Sequence, residues 1–200
     1  MNESKITLDA SLINKTLNNG GVIAFVTDTV WGLGCLPNNK VAVEKIYEIK
    51  GRDKSKPLIL MSNKEEYLFP YVKEIPQKAK DLMNIYFPGA LTLVLEKSEQ
   101  TPYTITSNKE TVGIRVPNNE LFNKLCSIVD GHVLATTSAN LSNEPSSKTF
   151  EETHNSVGHL VDIVLNDFGY SCKGEESTVA LILQDEIKVL REGNIKITHC

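Results

Sequence analysis

Short apolar runs recur along this chain, and each gives way to a polar loop before a stretch of helical spacing begins. That alternation is the strongest constraint on the fold. Apolar runs of roughly four to eight residues suit buried strands, and the segments between them suit helices that cover a sheet. Val22 to Val26, Leu58 to Met61, Leu91 to Glu96, Thr111 to Val116 and His132 to Thr136 are predicted as strands. Val161 to Leu165, Thr178 to Leu183 and Ile187 to Arg191 are predicted to close the sheet. Asp9 to Asn18 carries Ala10, Ile13 and Leu17 at helical spacing and then meets Gly20-Gly21, a glycine stop. Asn38 to Ile49, with Asn38 or Asn39 as its cap, reads as a helix, as do Pro76 to Tyr86, Asn118 to Val129 and Thr149 to Ser156. The expectation is a mixed α/β fold, a single domain over residues 1–200. With 40% hydrophobic residues the chain can bury one sizeable core.

Charge and cysteine usage narrow the function classes. Lys plus Arg total 21 against 25 for Asp plus Glu, a net charge of −4, so a generally basic nucleic-acid binder is not indicated. Cys35, Cys126, Cys172 and Cys200 form no CxxC pair and no Cys/His pair at zinc spacing, and are expected to be reduced thiols. His132, His154, His159 and His199 share no spacing that suggests a metal cage or a general base. No segment approaches the ~20 apolar residues needed to span a bilayer. Met1 to Asp9 lacks the apolar core of a signal peptide. A cytoplasmic location without a membrane partner is expected.

The polar loops hold the unusual residues, and loops on a rigid scaffold are where sites tend to sit. Thr27 to Gly34 ends a buried strand in hydroxyls, a carboxylate, an indole and two glycines. It reads either as a pocket edge or as a tight turn satisfying its own backbone. Lys50, Arg52, Lys54 and Lys56 lie in a short loop after a helix. They suit a triphosphate cradle, or a solvated loop that complements the helix dipole. The loop lacks the Walker pattern. Arg115 sits inside an apolar strand and must either pair with a carboxylate or await an anionic ligand. Thr136 to Ser142 packs small hydrogen-bonding side chains after a strand, suiting ligand recognition or ordinary capping.

Taken together and in order, these segments resemble the YrdC-type family of threonylcarbamoyl-AMP synthases. The stretches that carry the resemblance are TDTVWGLG from Thr27, KIYEIKGR from Lys45, KPLIL from Lys56, FPGALTLVL from Phe87, GIRVP from Gly113, TSANLS from Thr137, STV from Ser177 and LREG from Leu190. Together they run from about Gly20 to Gly193 and include the KxR and SxN pairing. The resemblance implies an open, twisted, mixed sheet with flanking helices and a large concave cavity. It also implies that L-threonine, bicarbonate or carbon dioxide, and ATP give threonylcarbamoyl-AMP and pyrophosphate. That product would supply the threonylcarbamoyl group at position 37 of tRNAs reading codons that begin with adenine.

By the same resemblance, Lys50 and Arg52 are the catalytic pair. Lys50, Arg52, Lys56, Thr111, Ser138, Asn140, Ser146 and Arg191 bind ATP, with Asn140 either bracing its loop or touching the ligand. Thr29, Met61, Arg115, Thr136 and Ser177 surround L-threonine, with Arg115 facing its carboxylate. No tightly bound cofactor is implied; Mg2+ would accompany ATP, without a dedicated metal cage. A downstream threonylcarbamoyl transferase complex is the implied partner, with weak tRNA binding. Phosphoryl-type transfer asks mainly for positioning and charge neutralisation, which fits a site without a nucleophile motif.

Some positions depart from the family pattern. Trp31 stands where tyrosine or phenylalanine is usual, Met61 where some members have histidine, and Lys56 where asparagine is frequent. The chain is expected to be a short form without the extra C-terminal domain of longer relatives. Two other readings compete. One is a non-catalytic RNA-binding module using the same basic concave surface. The other is a domain of the carbamoyltransferases, against which the length and the cysteine spacing count.

Overall fold

The computed structural model describes residues 7–51, 53–184 and 186–197. In chain order the elements are α1 (Ala10–Asn18), β1 (Ile23–Phe25), β2 (Gly32–Cys35), α2 (Lys40–Lys50), β3 (Ile59–Ser62), α3 (Gln77–Tyr86) and β4 (Leu91–Glu96). They continue with α4 (Tyr103–Thr106), β5 (Thr111–Arg115), α5 (Glu120–Ile128), β6 (Val133–Ser138), α6 (Phe150–Val157), β7 (Ile163–Val164), β8 (Thr178–Leu183) and β9 (Glu186–Arg191). Three short 3-10 turns complete the described set.

The helices start where a polar side chain can take up an orphan amide. Asp9 accepts from Leu12 N–H at 2.9 Å to open α1, and Asn119 accepts from Phe122 N–H at 2.9 Å to open α5. Asn39, rather than Asn38, caps α2 by accepting from Ala42 N–H at 3.1 Å. Thr149 does the same for α6. Gly51 ends α2 in the left-handed region at φ 55°, the conformation that a helix C-terminus asks of glycine.

Among the described residues nine strands form one sheet, in the order β7-β1-β2-β6-β3-β5-β4-β8-β9. The β1/β7, β3/β5 and β4/β8 pairs are parallel and the other neighbours antiparallel, so the sheet is mixed, as expected. Its two faces are separated by simple alternation. Leu60, Leu91, Leu93 and Leu95 join the larger apolar cluster, together with Ala42, Val43 and Ile46 of α2 and Ala79 and Leu82 of α3. On the opposite face Met61 and Leu134 join Ile13 and Leu17 of α1 and Phe122, Leu125 and Cys126 of α5. Burial pushes the Cys35 thiol up to about 12 and the Cys126 thiol higher still. Cys35, Cys126 and Cys172 are unpaired with one another; Cys200 lies outside the described residues.

The structure adds one strand that the sequence pattern does not announce. Gly32 to Cys35 reads as a turn or pocket edge, but it forms β2 and pairs with both β1 and β6. Its glycines serve close packing, not turning. A Cβ on Gly34 would stand 2.7 Å from the Phe25 ring, and one on Gly32 would stand 3.0 Å from it. The expected strand Val161 to Leu165 shrinks to Ile163–Val164. Asp162 is drawn aside, its carboxylate accepting from Val22 N–H and from Lys45 Nζ, both at 2.7 Å.

Candidate active site

One ladder of neighbouring residues assembles most of the site. Met61 of β3 is in register with Arg115 of β5, Thr92 of β4 with Val179 of β8, and Val179 with Arg191 of β9. Leu93 opposite Ile114 places Thr92 next to Arg115. Residues far apart in sequence thus share one face, and that face bounds a cavity of about 190 Å³. The volume lies below the roughly 300–1,000 Å³ typical of pockets for drug-sized ligands, and suits a small polar molecule.

Arg115 is the cavity's central charge. It is buried, and its Nη2 donates to Asp28 Oδ1 at 2.5 Å, its Nη1 to Thr29 Oγ1 at 2.9 Å and its Nε to the Gly89 carbonyl at 3.0 Å. Three of its five N–H donors are so engaged. Burial pulls its pKa below the usual guanidinium value; Asp28 opposes this and Arg191 adds to it. Both readings of this strand arginine therefore meet. It has a carboxylate partner in the protein, and it still borders the cavity. Thr29 is held in turn: its Oγ1 lies 3.1 Å from Thr27 Oγ1, and Thr27 donates to the Val30 carbonyl at 2.7 Å.

The residues expected around L-threonine, namely Thr29, Met61, Arg115, Thr136 and Ser177, all line this one cavity. Of those expected at ATP, Ser138 and Arg191 also line it. Trp31 forms part of the wall, buried and edge-on to Phe150 at a centroid distance of 5.9 Å. Lys50, Lys56, Thr111, Asn140 and Ser146 do not line the cavity. Thr111 stands at the far end of β5 from Arg115, opposite Glu96. Lys56 is exposed on its loop, its carbonyl accepting from Tyr47 Oη. Ser146 reaches the cavity indirectly, donating to Glu176 Oε1 at 2.8 Å. Arg52 lies outside the described residues.

Lys50, read from the sequence as a phosphate ligand, is only 2% exposed. Its ammonium donates to the Ser138 carbonyl at 2.6 Å, the Asn140 carbonyl at 2.7 Å and Asn140 Oδ1 at 3.1 Å. Its own carbonyl accepts from Ser142 N–H at 2.8 Å. The last residue of α2 thus clips the Ser138–Ser142 loop at both ends of its own side chain and backbone. Asn140 takes the bracing role of the two open to it: its amide donates to the carbonyls of Leu141 and Glu144. The lysine of KxR and the asparagine of SxN thus have a physical link here, the end of α2 holding the Ser138–Ser142 loop at the cavity rim.

Four groups in or beside the cavity have no individual role in the sequence reading. Asp28 is the partner of Arg115, a carboxylate 87 residues away in the chain. The signal for it was a charged residue between two threonines at the end of a buried strand. Glu176 pairs with Arg191 Nη1. Thr27 and Thr92 line the cavity, and Thr92 is a lone hydroxyl within an apolar strand. A segment from the β7–β8 connection closes over Asp28 and Thr29: Lys173 N–H donates to the Asp28 carbonyl and Gly174 N–H to that of Thr29. Among the described residues no cluster of three His, Cys, Asp or Glu side chains could hold a metal ion, and no helix is long and apolar enough to cross a membrane.

Comparison with known proteins gives this site a context. A threonylcarbamoyl-AMP synthase of Pyrococcus abyssi is 35% identical over 195 residues, 98% of this chain and 56% of that protein. A putative threonylcarbamoyl-AMP synthase of Methanocaldococcus jannaschii is 35% identical over 199 residues, 98% of this chain and 91% of that protein. The chain therefore spans little more than half of the first relative and nearly all of the second. The crystal structure of P. abyssi Sua5 complexed with L-threonine superposes with a TM-score of 0.86 at 34% identity, covering 92% of this chain and 54% of that one. The family model for Sua5, YciO and YrdC, described as "Telomere recombination", matches residues 15–193. By that match the chain belongs to the Sua5/YciO/YrdC family.

Proposed function

We propose that this chain is an L-threonylcarbamoyladenylate synthase. The observation that carries the reading is the buried Arg115–Asp28 pair, set in a small hydroxyl-lined cavity of a chain whose relatives bear that name. A guanidinium fixed on one side by a carboxylate and a hydroxyl can take a small carboxylate on its remaining donors. Thr29, Thr136 and Ser177 supply short polar contacts, and Met61 and Trp31 supply apolar walls.

In the proposed reaction the amine of L-threonine takes up carbon dioxide, or bicarbonate with loss of water, to give N-carboxy-threonine. That new carboxylate attacks the α-phosphorus of ATP, and pyrophosphate leaves. Arg115 holds the threonine carboxylate. Arg52, Lys56 and Arg191 neutralise phosphate oxygens, with Thr111, Ser146 and Mg2+ brought by ATP completing the nucleotide side. Lys50 and Asn140 act through the loop they hold, presenting Ser138 at the rim. Such a site works by positioning and charge, without a covalent intermediate.

Further parts of the proposal follow from the product. Threonylcarbamoyl-AMP is a mixed anhydride, so a downstream transferase complex takes it up for tRNA modification. We assign this work to the cytoplasm, on the expectation that ATP and tRNA are met there. The non-catalytic RNA-binding reading finds less support. Lys54 and Lys56 are exposed, but the cavity is lined largely by hydroxyls, and its aromatic wall residue, Trp31, is buried edge-on to Phe150 instead of offering a stacking platform. The test is turnover. Folded protein given ATP, L-threonine and bicarbonate is expected to release pyrophosphate only when threonine is present, and to form the adenylate. Threonine-independent release, or none, sinks the proposal.

A further inference from the structure

Thr92 and Ser177 form a hydroxyl pair on the cavity side of the sheet, their oxygens 2.9 Å apart. Thr92 is 0% exposed and Ser177 3%. Ser177 Oγ also accepts from Arg191 Nη2 at 3.2 Å. Among the described residues no other hydrogen-bond partner reaches either oxygen. The direction of the pair then follows from counting hydrogens. A buried hydroxyl that does not donate leaves its hydrogen unsatisfied, which is costly. Thr92 has one acceptor within reach, Ser177 Oγ, and donates to it. Ser177 Oγ has two lone pairs. One takes the Thr92 hydrogen and the other the Arg191 N–H. Its own hydrogen is all that it has left, and the cavity is the space in front of it.

We infer that Thr92 is a positioning residue that makes Ser177 an obligate hydrogen-bond donor, so that the cavity reads an acceptor oxygen on the amino-acid side chain. The inference rests on the reading of this cavity as the L-threonine site. With Arg115 on the carboxylate, the acceptor before Ser177 is the β-hydroxyl. Val179, beside Thr92 in the same ladder, provides an apolar contact for the neighbouring methyl. An ammonium, which only donates, is turned away from this spot, and so is a methyl.

The test compares L-threonine with L-valine, which puts a methyl where threonine has its hydroxyl. The readouts are amino-acid-dependent pyrophosphate release and ligand-induced melting shift. A site built around a substrate hydroxyl rejects the analogue that lacks it far more strongly than about a hundredfold. Thr92→Val keeps the shape of the side chain and removes its hydrogen. It is expected to shrink the threonine-to-valine preference at least about tenfold, the size of one ordinary hydrogen bond. Thr92→Ser, which restores the donor, is expected to keep the preference. A purely structural Thr92 would lower stability or turnover for both amino acids alike. A wild-type preference that T92V retains in full overturns the inference alone. A wild-type protein indifferent to both amino acids overturns the functional reading and the inference with it. A second measurement avoids reliance on the variant's folding. L-allo-threonine, with hydroxyl and methyl exchanged, is expected to be rejected by the wild-type protein about as strongly as valine; equal use of both stereoisomers overturns the proposal.

Discussion

The two ends of the cavity are built by different means. The Arg115 end is buried at the strand ends, and its polar groups are already bonded to one another: Arg115 to Asp28 and Thr29, Ser177 to Thr92 and Arg191. The Ser138 end lies where β6 runs out into the Ser138–Ser142 loop. Its cations either brace the loop from beneath, as Lys50 does, or stand exposed, as Lys56 does. An end whose donors and acceptors already hold one another has one geometry and can discriminate between small ligands differing in a single group. An exposed lysine on a loop can adjust to a polyphosphate.

Substitutions can break or sharpen that contrast. The largest effect is expected from Asp28→Ala, which leaves Arg115 buried without its partner. Removing one member of a buried pair costs about 3–5 kcal/mol, seen as a large fall in melting temperature together with loss of threonine-induced stabilisation. A loss below about 1 kcal/mol, the worth of a surface pair, would break the contrast. Lys50→Met comes next. It strips the Ser138 and Asn140 carbonyls of a charged donor, at about 1.5–3 kcal/mol for a hydrogen bond to a charged group. Chemical denaturation reads the loss, and the threonine melting shift should survive. Arg52→Ala is expected to raise the ATP requirement by an amount of the same order, about 1.5–3 kcal/mol, while leaving stability and threonine binding in place. Steady-state kinetics in ATP and in threonine separate the two. Glu176→Gln should move stability by under about 1 kcal/mol, because its pair with Arg191 is half exposed and screened by salt.

The smallest effect depends on pH. Burial pushes the Asp162 carboxyl up, but Lys45 and the Val22 amide outweigh it and hold the carboxyl below its ordinary value. A depressed folded value means stabilisation that is complete above the unfolded value of about 3.9 and fades as pH falls through the folded one. Asp162→Asn should therefore lower stability slightly through the neutral range, where the carboxylate's contribution is complete, and flatten the acid limb of a melting profile, where the wild type loses that contribution anyway.

Much of the fold was legible because it depends on local periodicity. The strands Leu91–Glu96 and Thr178–Leu183 fall where alternation and apolar runs put them, and helix starts follow their capping residues. β2 was not legible, since Gly32 and Gly34 look like turn residues until the ring of Phe25 is laid over them. The site divides in the same way. The residues facing the cavity from strand ends were found through their motifs. Asp28 was missed as a partner because nothing local ties it to Arg115, and Thr92 because one hydroxyl in an apolar strand looks unremarkable without its neighbour Ser177. Lys50 was found, but its direction was not. Whether a lysine at a helix end points to solvent, to ligand or to a neighbouring loop is decided by the tertiary fold. Nor did the motifs show that Ser177, expected at the amino acid, and Arg191, expected at ATP, touch: Arg191 donates to the Ser177 hydroxyl and carbonyl.

The ladder from Met61 to Arg191 has a consequence for how the chain comes into being. During synthesis β3, β4 and β5 emerge early, yet Ser177, β8 and β9 follow more than sixty residues after Arg115. Until β9 lies against β8, Arg191 cannot fix Ser177, and the hydroxyl that reads the ligand has no set direction. Under the proposed function, the two contacts that read the amino acid are therefore set at different times: Arg115 meets Asp28, Thr29 and Gly89 within the first 115 residues, while Ser177 waits for β9.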